Sequence, residues 1–139
     1  MKRALEGGFE LDDDRDRIDL DAVHRFLSEE AYWALGRPRD TVELLVANAS
    51  RVVGLYEGER QVGFSRTVSD GVSLAYLADV YVLPELRGRR LGEELVRETV
   101  ENGPYSGCRW LLHTSDAAPL YAKFGFGTPS PSLMERPRR

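Results

Sequence analysis

The 139-residue chain has a single cysteine, Cys108, and no apolar run that approaches the ~18 residues of a membrane span. A lone cysteine cannot form an internal disulfide, and the sequence has neither a Cys-x-x-Cys pair nor a histidine cluster with metal-ligand spacing. Its first residues also lack the apolar core of a signal peptide. We therefore expect a metal-free, cytoplasmic protein with no membrane partner.

Positive charge is also scarce, since 19 lysines and arginines face 23 aspartates and glutamates, for a formal net charge of −4. Affinity for nucleic acid depends on summed positive charge, so no nucleic-acid partner is expected. Apolar residues make up 42% of the chain and charged residues 30%, which is typical of a globular protein. The length favours one domain over residues 1–139, with a core at about 8–127 and a C-terminal segment at 128–139.

The hydrophobic periodicity predicts an α/β fold in the order β-α-α-β-β-β-α-β-α-β. Residues 1–7 are expected to fray, and the acidic run at 12–16 to form a solvated turn. A long apolar strand that ends before Pro84 is predicted to lie at the centre of the sheet and to be buried on both faces. The predicted strands are 8–11, 52–56, 61–68, 72–83, 108–114 and a last one near the C-terminus, and the predicted helices are 21–36, 41–48, 91–102 and 117–124.

The segment from Asp79 to Gly92 is the most informative part of the sequence. A strand runs through a compact loop of arginines and glycines directly into a helix. The first turn of a helix has backbone N–H groups without internal partners and a partial positive charge, and glycines let a ligand approach the main chain. This arrangement favours a phosphate site, although a polar surface turn with solvated arginines would have the same composition.

Two stretches of the chain resemble the GNAT superfamily of N-acetyltransferases. Residues 87–92 (RGRRLG) follow the strand 80–82 and resemble the family's acyl-CoA signature, Gln/Arg-x-x-Gly-x-Gly/Ala, with Arg90 in place of the middle glycine. Residues 114–126 (TSDAAPLYAKFGF) resemble a second family segment, Asn-x-x-Ala-x-x-x-Tyr-x-x-x-Gly-Phe. The resemblance covers roughly residues 8–127.

This resemblance implies a mixed, largely antiparallel sheet, flanked by helices and splayed between its fourth and fifth strands, where the pantetheine arm of acetyl-CoA inserts. It further implies direct acetyl transfer to a primary amine, and the net negative charge favours a small-molecule amine because it attracts cations. A monomer or a homodimer is expected. The alternatives are acetylation of a protein N-terminus or lysine, and a non-catalytic acyl-CoA-binding domain. The residues implied in cofactor binding are Val80, Tyr81, Val82, Arg87, Gly88, Arg89, Arg90, Leu91 and Gly92.

Candidate catalytic residues follow from the need to deprotonate an amine and to protonate the departing thiolate. Tyr121 resembles the family's conserved tyrosine and is the predicted acid, with a packed aromatic ring as the alternative. Asp79 is a candidate base, because desolvation in an apolar strand would raise its pKa, or else a structural carboxylate. Tyr76 and Trp33 are expected to contact the acceptor, and Tyr76 or a water that it holds is a second candidate base. His113 is a further candidate proton donor or acceptor.

Overall fold

The computed structural model describes residues 1–139 as six strands and four helices. The strands are β1 (Lys2–Ala4), β2 (Phe9–Asp12), β3 (Arg51–Glu57), β4 (Arg60–Ser69), β5 (Leu74–Val82) and β6 (Arg109–Leu112). The helices are α1 (Leu20–Glu29), α2 (Arg39–Asn48), α3 (Leu91–Val100) and α4 (Ala118–Ala122). Short 3-10 turns cover Arg15–Arg17 and Pro84–Leu86.

All six strands form one sheet in the order β1-β2-β3-β4-β5-β6. Neighbours from β1 to β5 are antiparallel, and β6 runs parallel to β5 because α3 crosses over between them. The predicted α/β class, with a mixed and largely antiparallel sheet flanked by helices, is therefore confirmed.

Helices cover both faces of this sheet. The apolar side chains of α1 recur at i, i+3 and i+4, and Val23, Phe26 and Leu27 are buried against the sheet. The Phe26 ring stacks on Tyr81 of β5 at a centroid distance of 4.0 Å. On the other face, Leu95 of α3 is fully buried among residues of β2, β3 and β4. The sheet is thus fixed from both sides close to the end of β5.

The N-terminal residues differ from the prediction. Residues 2–4 do not fray but pair with β2 as an edge strand. The acidic run is not simply solvated, because Asp12 is 2% exposed and accepts a 2.9 Å hydrogen bond from Arg17, while Asp13 accepts one from Arg51. Arg17 and Arg51 explain the second difference, since they neutralise carboxylates that would otherwise need water, whereas β1 is held by its pairing with β2.

Further differences concern the ends of elements. The first helix ends at Glu29 rather than near residue 36, and turns fill the interval. The predicted central strand begins at Leu74, because the Asp70 carboxylate accepts hydrogen bonds from the N–H groups of Val72, Ser73 and Leu74 and holds a turn there. This strand is the fifth of six, and buried residues alternate along it with half-buried ones. The predicted last strand is absent, since residues 128–139 contain no strand or helix.

Candidate active site

The sheet opens between β5 and β6. The two strands pair only over Leu74–Leu77 and Arg109–Leu112, so the rest of β5 has no neighbour on that side. Just after the end of β5, the Leu83 N–H donates to the carbonyl of Val62 in β4 at 2.9 Å, so the backbone groups of Leu83 point toward β4. Because backbone groups alternate in direction along a strand, those of Val82 and Val80 point toward the open edge. This edge offers unpaired main-chain donors and acceptors to a ligand.

The loop after β5 leads into a helix whose N-terminus has no side-chain cap. Its N-cap residue, Arg90, has a left-handed backbone with φ +60°, and Gly88 has φ +85°. A Cβ added at Gly92 would have only one neighbour within 4 Å, Leu120 Cδ2 at 3.9 Å. The first-turn N–H groups of α3 are therefore open to an anion, and the loop arginines form no ion pair with any carboxylate of the chain.

The open edge and the loop line one groove of about 520 Å³. Eight of the nine residues predicted to bind the cofactor line it, and the exposed Arg89 does not. The structure therefore brings most of the predicted cofactor-binding residues together around a single groove. The eight residues are Val80, Tyr81, Val82, Arg87, Gly88, Arg90, Leu91 and Gly92.

A second cavity of about 320 Å³ adjoins this groove, and Trp33 and Tyr76, the two residues expected to contact an acceptor, line it. We call it the acceptor cavity after that expectation. Six residues line both spaces, so the two spaces form one continuous cleft. They are Tyr32, Trp33, Val80, Asp116, Ala117 and Tyr121. The structure thus brings Tyr121 and Trp33 together at the junction of the two spaces.

Tyr121 projects from α4 into this junction. Its residue surface is 9% exposed, and no protein group forms a hydrogen bond with its hydroxyl. Burial raises the pKa of Tyr121 to about 12. The phenol is consequently protonated at neutral pH and can donate a hydrogen bond or a proton into the cleft.

Asp79 lies where β5 is distorted. Its backbone has φ +56°, and the pairing of β4 with β5 shifts at this point, which marks a β-bulge. Leu77 and Val80 both pack on the side of α3, so the two residues between them lie on the same opposite face. The bulge therefore turns the Asp79 side chain into the acceptor cavity.

Three side chains hold the Asp79 carboxylate. Trp33 Nε1 donates to Oδ1 at 2.9 Å, and Arg37 Nη1 and Arg66 Nε both donate to Oδ2 at 2.9 Å. Burial alone would raise the pKa of Asp79, but the Arg66 and Arg37 guanidiniums outweigh it and hold that pKa below its usual value. The expected rise is wrong, and the geometry favours a positioning role because an acidic, fully engaged carboxylate is a weak base.

The second candidate base, Tyr76, belongs to a cluster with His113 and Glu135 that the sequence does not predict. Its hydroxyl contacts His113 Nδ1, and His113 Nε2 contacts the carboxylate of Glu135. Tyr76 and His113 line the acceptor cavity. Glu135 lies in the C-terminal segment, 22 residues beyond His113, and no spacing or motif signals this contact.

Asp79→Asn is expected to lower the free energy of unfolding by about 3 kcal/mol at pH 7, because two buried guanidiniums lose their counter-charge. The pKa of Asp79 is lower in the folded chain than in the unfolded one, so its contribution is complete above pH ~4 and is lost as the pH falls through the folded-state value. Urea unfolding at pH 7 and pH 3 should show a large gap between variant and wild type that narrows in acid.

Asp21→Asn serves as the matched control, since Asp21 is a surface residue that is 72% exposed and also pairs with an arginine. We expect this change to cost less than about 1 kcal/mol. If the two substitutions lowered the free energy of unfolding equally at pH 7, Asp79 would not be the counter-charge that stabilises Arg37 and Arg66.

None of the four helices has the length and apolar character needed to cross a membrane. No three or more histidine, cysteine, aspartate or glutamate side chains are grouped as metal ligands.

This chain is similar in sequence and in structure to known proteins described as acetyltransferases. The sequence profile of the acetyltransferase (GNAT) domain matches residues 48–128. A Xanthomonas campestris crystal structure described as belonging to the GNAT family is 37% identical, with a TM-score of 0.87 over 94% of this chain and 93% of that one. A Gibberella zeae protein named as a candidate acetyltransferase is 29% identical over 84% of this chain and 77% of its own length.

A more distant structure shares the fold. The Staphylococcus aureus protein SA2161 is 22% identical, with a TM-score of 0.78 over 94% of this chain and 98% of that one. The profile match spans more than half of the chain and includes β5, the arginine loop and Tyr121. The chain therefore belongs to the GNAT family of acetyltransferases.

Proposed function

We propose that this protein transfers the acetyl group of acetyl-CoA directly to the primary amine of a small molecule. The observation that carries the proposal is the continuous cleft, in which an anion-binding groove meets a separate cavity at Tyr121. Two substrates that enter from the two sides would meet there, so transfer needs no covalent intermediate on the protein. Cys108 lines neither part of the cleft, which further supports direct transfer.

The groove supplies two kinds of contact for the donor. The phosphates would lie at the uncapped N-terminus of α3, with Arg87 and Arg90 as additional donors. The pantetheine arm would lie along the open edge of β5 and hydrogen-bond to the main chain of Val80 and Val82. The thioester would then reach the junction beside Tyr121.

The amine nitrogen attacks the thioester carbonyl carbon at the junction, and the carbon–sulfur bond breaks. The departing thiolate takes the proton of the Tyr121 hydroxyl, and the phenolate regains a proton from solvent. Burial and the Glu135 carboxylate raise the pKa of Tyr76, so Tyr76 is suited to pass the amine's proton to His113 rather than to hold a charge. Glu135 would orient the His113 ring through its contact with Nε2.

The size of the acceptor cavity supports a small acceptor. Its volume of about 320 Å³ lies at the low end of small-molecule sites. Arg138 of the C-terminal segment and the Trp33 ring line it, so a folded protein surface would have to displace them.

A thermal-shift measurement followed by an amine screen tests the proposal. Acetyl-CoA at a hundredfold excess over Kd should stabilise the protein by ~2.7 kcal/mol, and CoA release should follow when small primary amines are added. Binding without turnover on any amine or peptide would indicate a non-catalytic acyl-CoA-binding domain. The absence of any shift with acetyl-CoA would overturn the proposed donor.

Arg90→Gly tests whether the side chain at this unusual loop position contacts the cofactor. Glycine adopts φ +60° without strain, so the fold should be unaffected or slightly more stable. Because Arg90 is exposed and its contact with phosphate would be partly screened by water, its loss should weaken acetyl-CoA binding by only about fivefold to tenfold, measured by isothermal titration. An unchanged or tighter Kd would show that the Arg90 guanidinium makes no contact with phosphate.

A further inference from the structure

The charges around the acceptor cavity are unevenly distributed. Arg37, Arg66 and Arg138 line this cavity and do not line the groove, and we call the part of the cavity that the groove does not share the arginine end. Asp79 is the only carboxylate that lines the arginine end, Glu135 contacts His113 from outside the lining, and Asp116 lies at the junction and lines both spaces. The arginine end is thus positive, although the whole chain has a formal net charge of −4.

Asp79 cannot neutralise both of its arginine partners. Arg37 and Arg66 donate to the same oxygen, Oδ2, each at 2.9 Å, and the side chain of each is only 13% exposed. One carboxylate balances one guanidinium, and a second charge in so sheltered a place is costly unless an anion joins it. Neither guanidinium donates to any other protein group, so several N–H donors remain for a ligand.

Guanidinium groups hold carboxylates and phosphates through planar, paired hydrogen bonds. A reacting amine, in contrast, must lie at the junction near Tyr121, where the Asp116 carboxylate attracts a cation. We infer that the acetyl acceptor is a small primary amine that also carries an oxyanion, a carboxylate or a phosphate, which binds at the arginine end. This inference rests on the proposed function.

The cavity also limits the separation of the two groups. A volume of about 320 Å³ accommodates a molecule of the size of an amino acid or an aminoalkyl phosphate. The negative charge of the whole chain predicts only that amines are attracted, whereas the cavity selects among amines by a second, anionic group.

Matched pairs of ligands test this inference. L-α-amino acids and their amides form one arm, and O-phosphoethanolamine and ethanolamine form the other, each titrated calorimetrically into the protein alone and into protein saturated with CoA. The anionic member of at least one pair should bind at least tenfold more tightly than its neutral partner. The arm that shows the preference distinguishes carboxylate from phosphate, and kcat/KM with acetyl-CoA should follow the same order.

Variants show whether the arginine end is responsible. Arg66→Gln should abolish the preference for the anionic ligand, and Arg66→Lys should retain part of it. Arg138 does not contact Asp79, so Arg138→Gln should weaken the preference without disturbing the Asp79 carboxylate. Acetyl-CoA should still stabilise each variant, which confirms that it is folded. Arg25→Gln removes one charge from the exposed surface of α1 and should change nothing.

The outcomes separate the inference from the proposed function. The inference would be overturned if every neutral ligand bound as tightly as its anionic partner or more tightly. It would also be overturned if the double variant Arg66→Gln, Arg138→Gln kept the preference for anionic ligands. Anion preference without turnover on any amine would overturn the proposed reaction and leave the binding site in place.

Discussion

Gly92→Asp is expected to abolish detectable acetyl-CoA binding and with it all acetyl transfer. The substitution places a carboxylate in the first turn of α3, where the phosphates would meet bare backbone. Each lost charge-assisted hydrogen bond weakens binding by about tenfold to a hundredfold, and repulsion between anions adds to this loss. Calorimetric titration should show a Kd at least on the order of 100-fold higher than that of wild type.

The fold should tolerate this change. The new Cβ would meet only Leu120 at 3.9 Å, and a negative charge in the first turn of a helix is favourable. Gly92→Asn has nearly the same shape without the charge and is the matched control. If Asn and Asp weaken binding equally, bulk rather than phosphate repulsion is responsible, and normal binding by Gly92→Asp would exclude this loop as the cofactor site.

Tyr121→Phe is expected to reduce kcat by about a hundredfold, at the lower end of the range for general acid catalysis, because solvent can partly replace an acid in an open cleft. The ring and its packing remain, so stability and acetyl-CoA affinity should change little. With a pKa of about 12, Tyr121 is protonated across the accessible pH range. The loss should therefore be the same factor at every pH from 6 to 10.

Tyr105→Phe provides the control for removal of a tyrosine hydroxyl, since Tyr105 lines neither the groove nor the acceptor cavity. Its kcat should equal that of wild type. A Tyr121→Phe enzyme with the wild-type rate would show that Tyr121 serves packing, and the thiolate would then take its proton from water or from His113.

The parts of the site that the sequence predicts are those in which neighbouring residues interact with each other. The loop and helix start at 84–92 are such a segment, because glycines, arginines and the helix N-terminus are all local features. The same holds for the hairpin of β3 and β4, whose turn follows directly from composition. The second family segment likewise placed Tyr121 on a short helix.

The unpredicted parts depend on contacts between distant residues. The pKa of Asp79 depends on Arg37, 42 residues away, and on Arg66, 13 residues away, and no local pattern reveals such partners. The strand β1 has only three residues and exists through its pairing with β2, so propensity alone does not predict it. Glu135 reaches His113 through a segment without regular structure.

The bulge at Asp79 divides β5 into two halves that have different constraints. The half before Asp79 is aligned by β6, and the half after it is aligned by α1, through the stacking of Phe26 on Tyr81. If β5 continued through Asp79 as a regular strand without the bulge, every following side chain would point to the opposite face. The bulge therefore accommodates one extra residue without changing the face of the residues after it, so that one short segment directs backbone groups to the groove and the Asp79 side chain to the acceptor cavity.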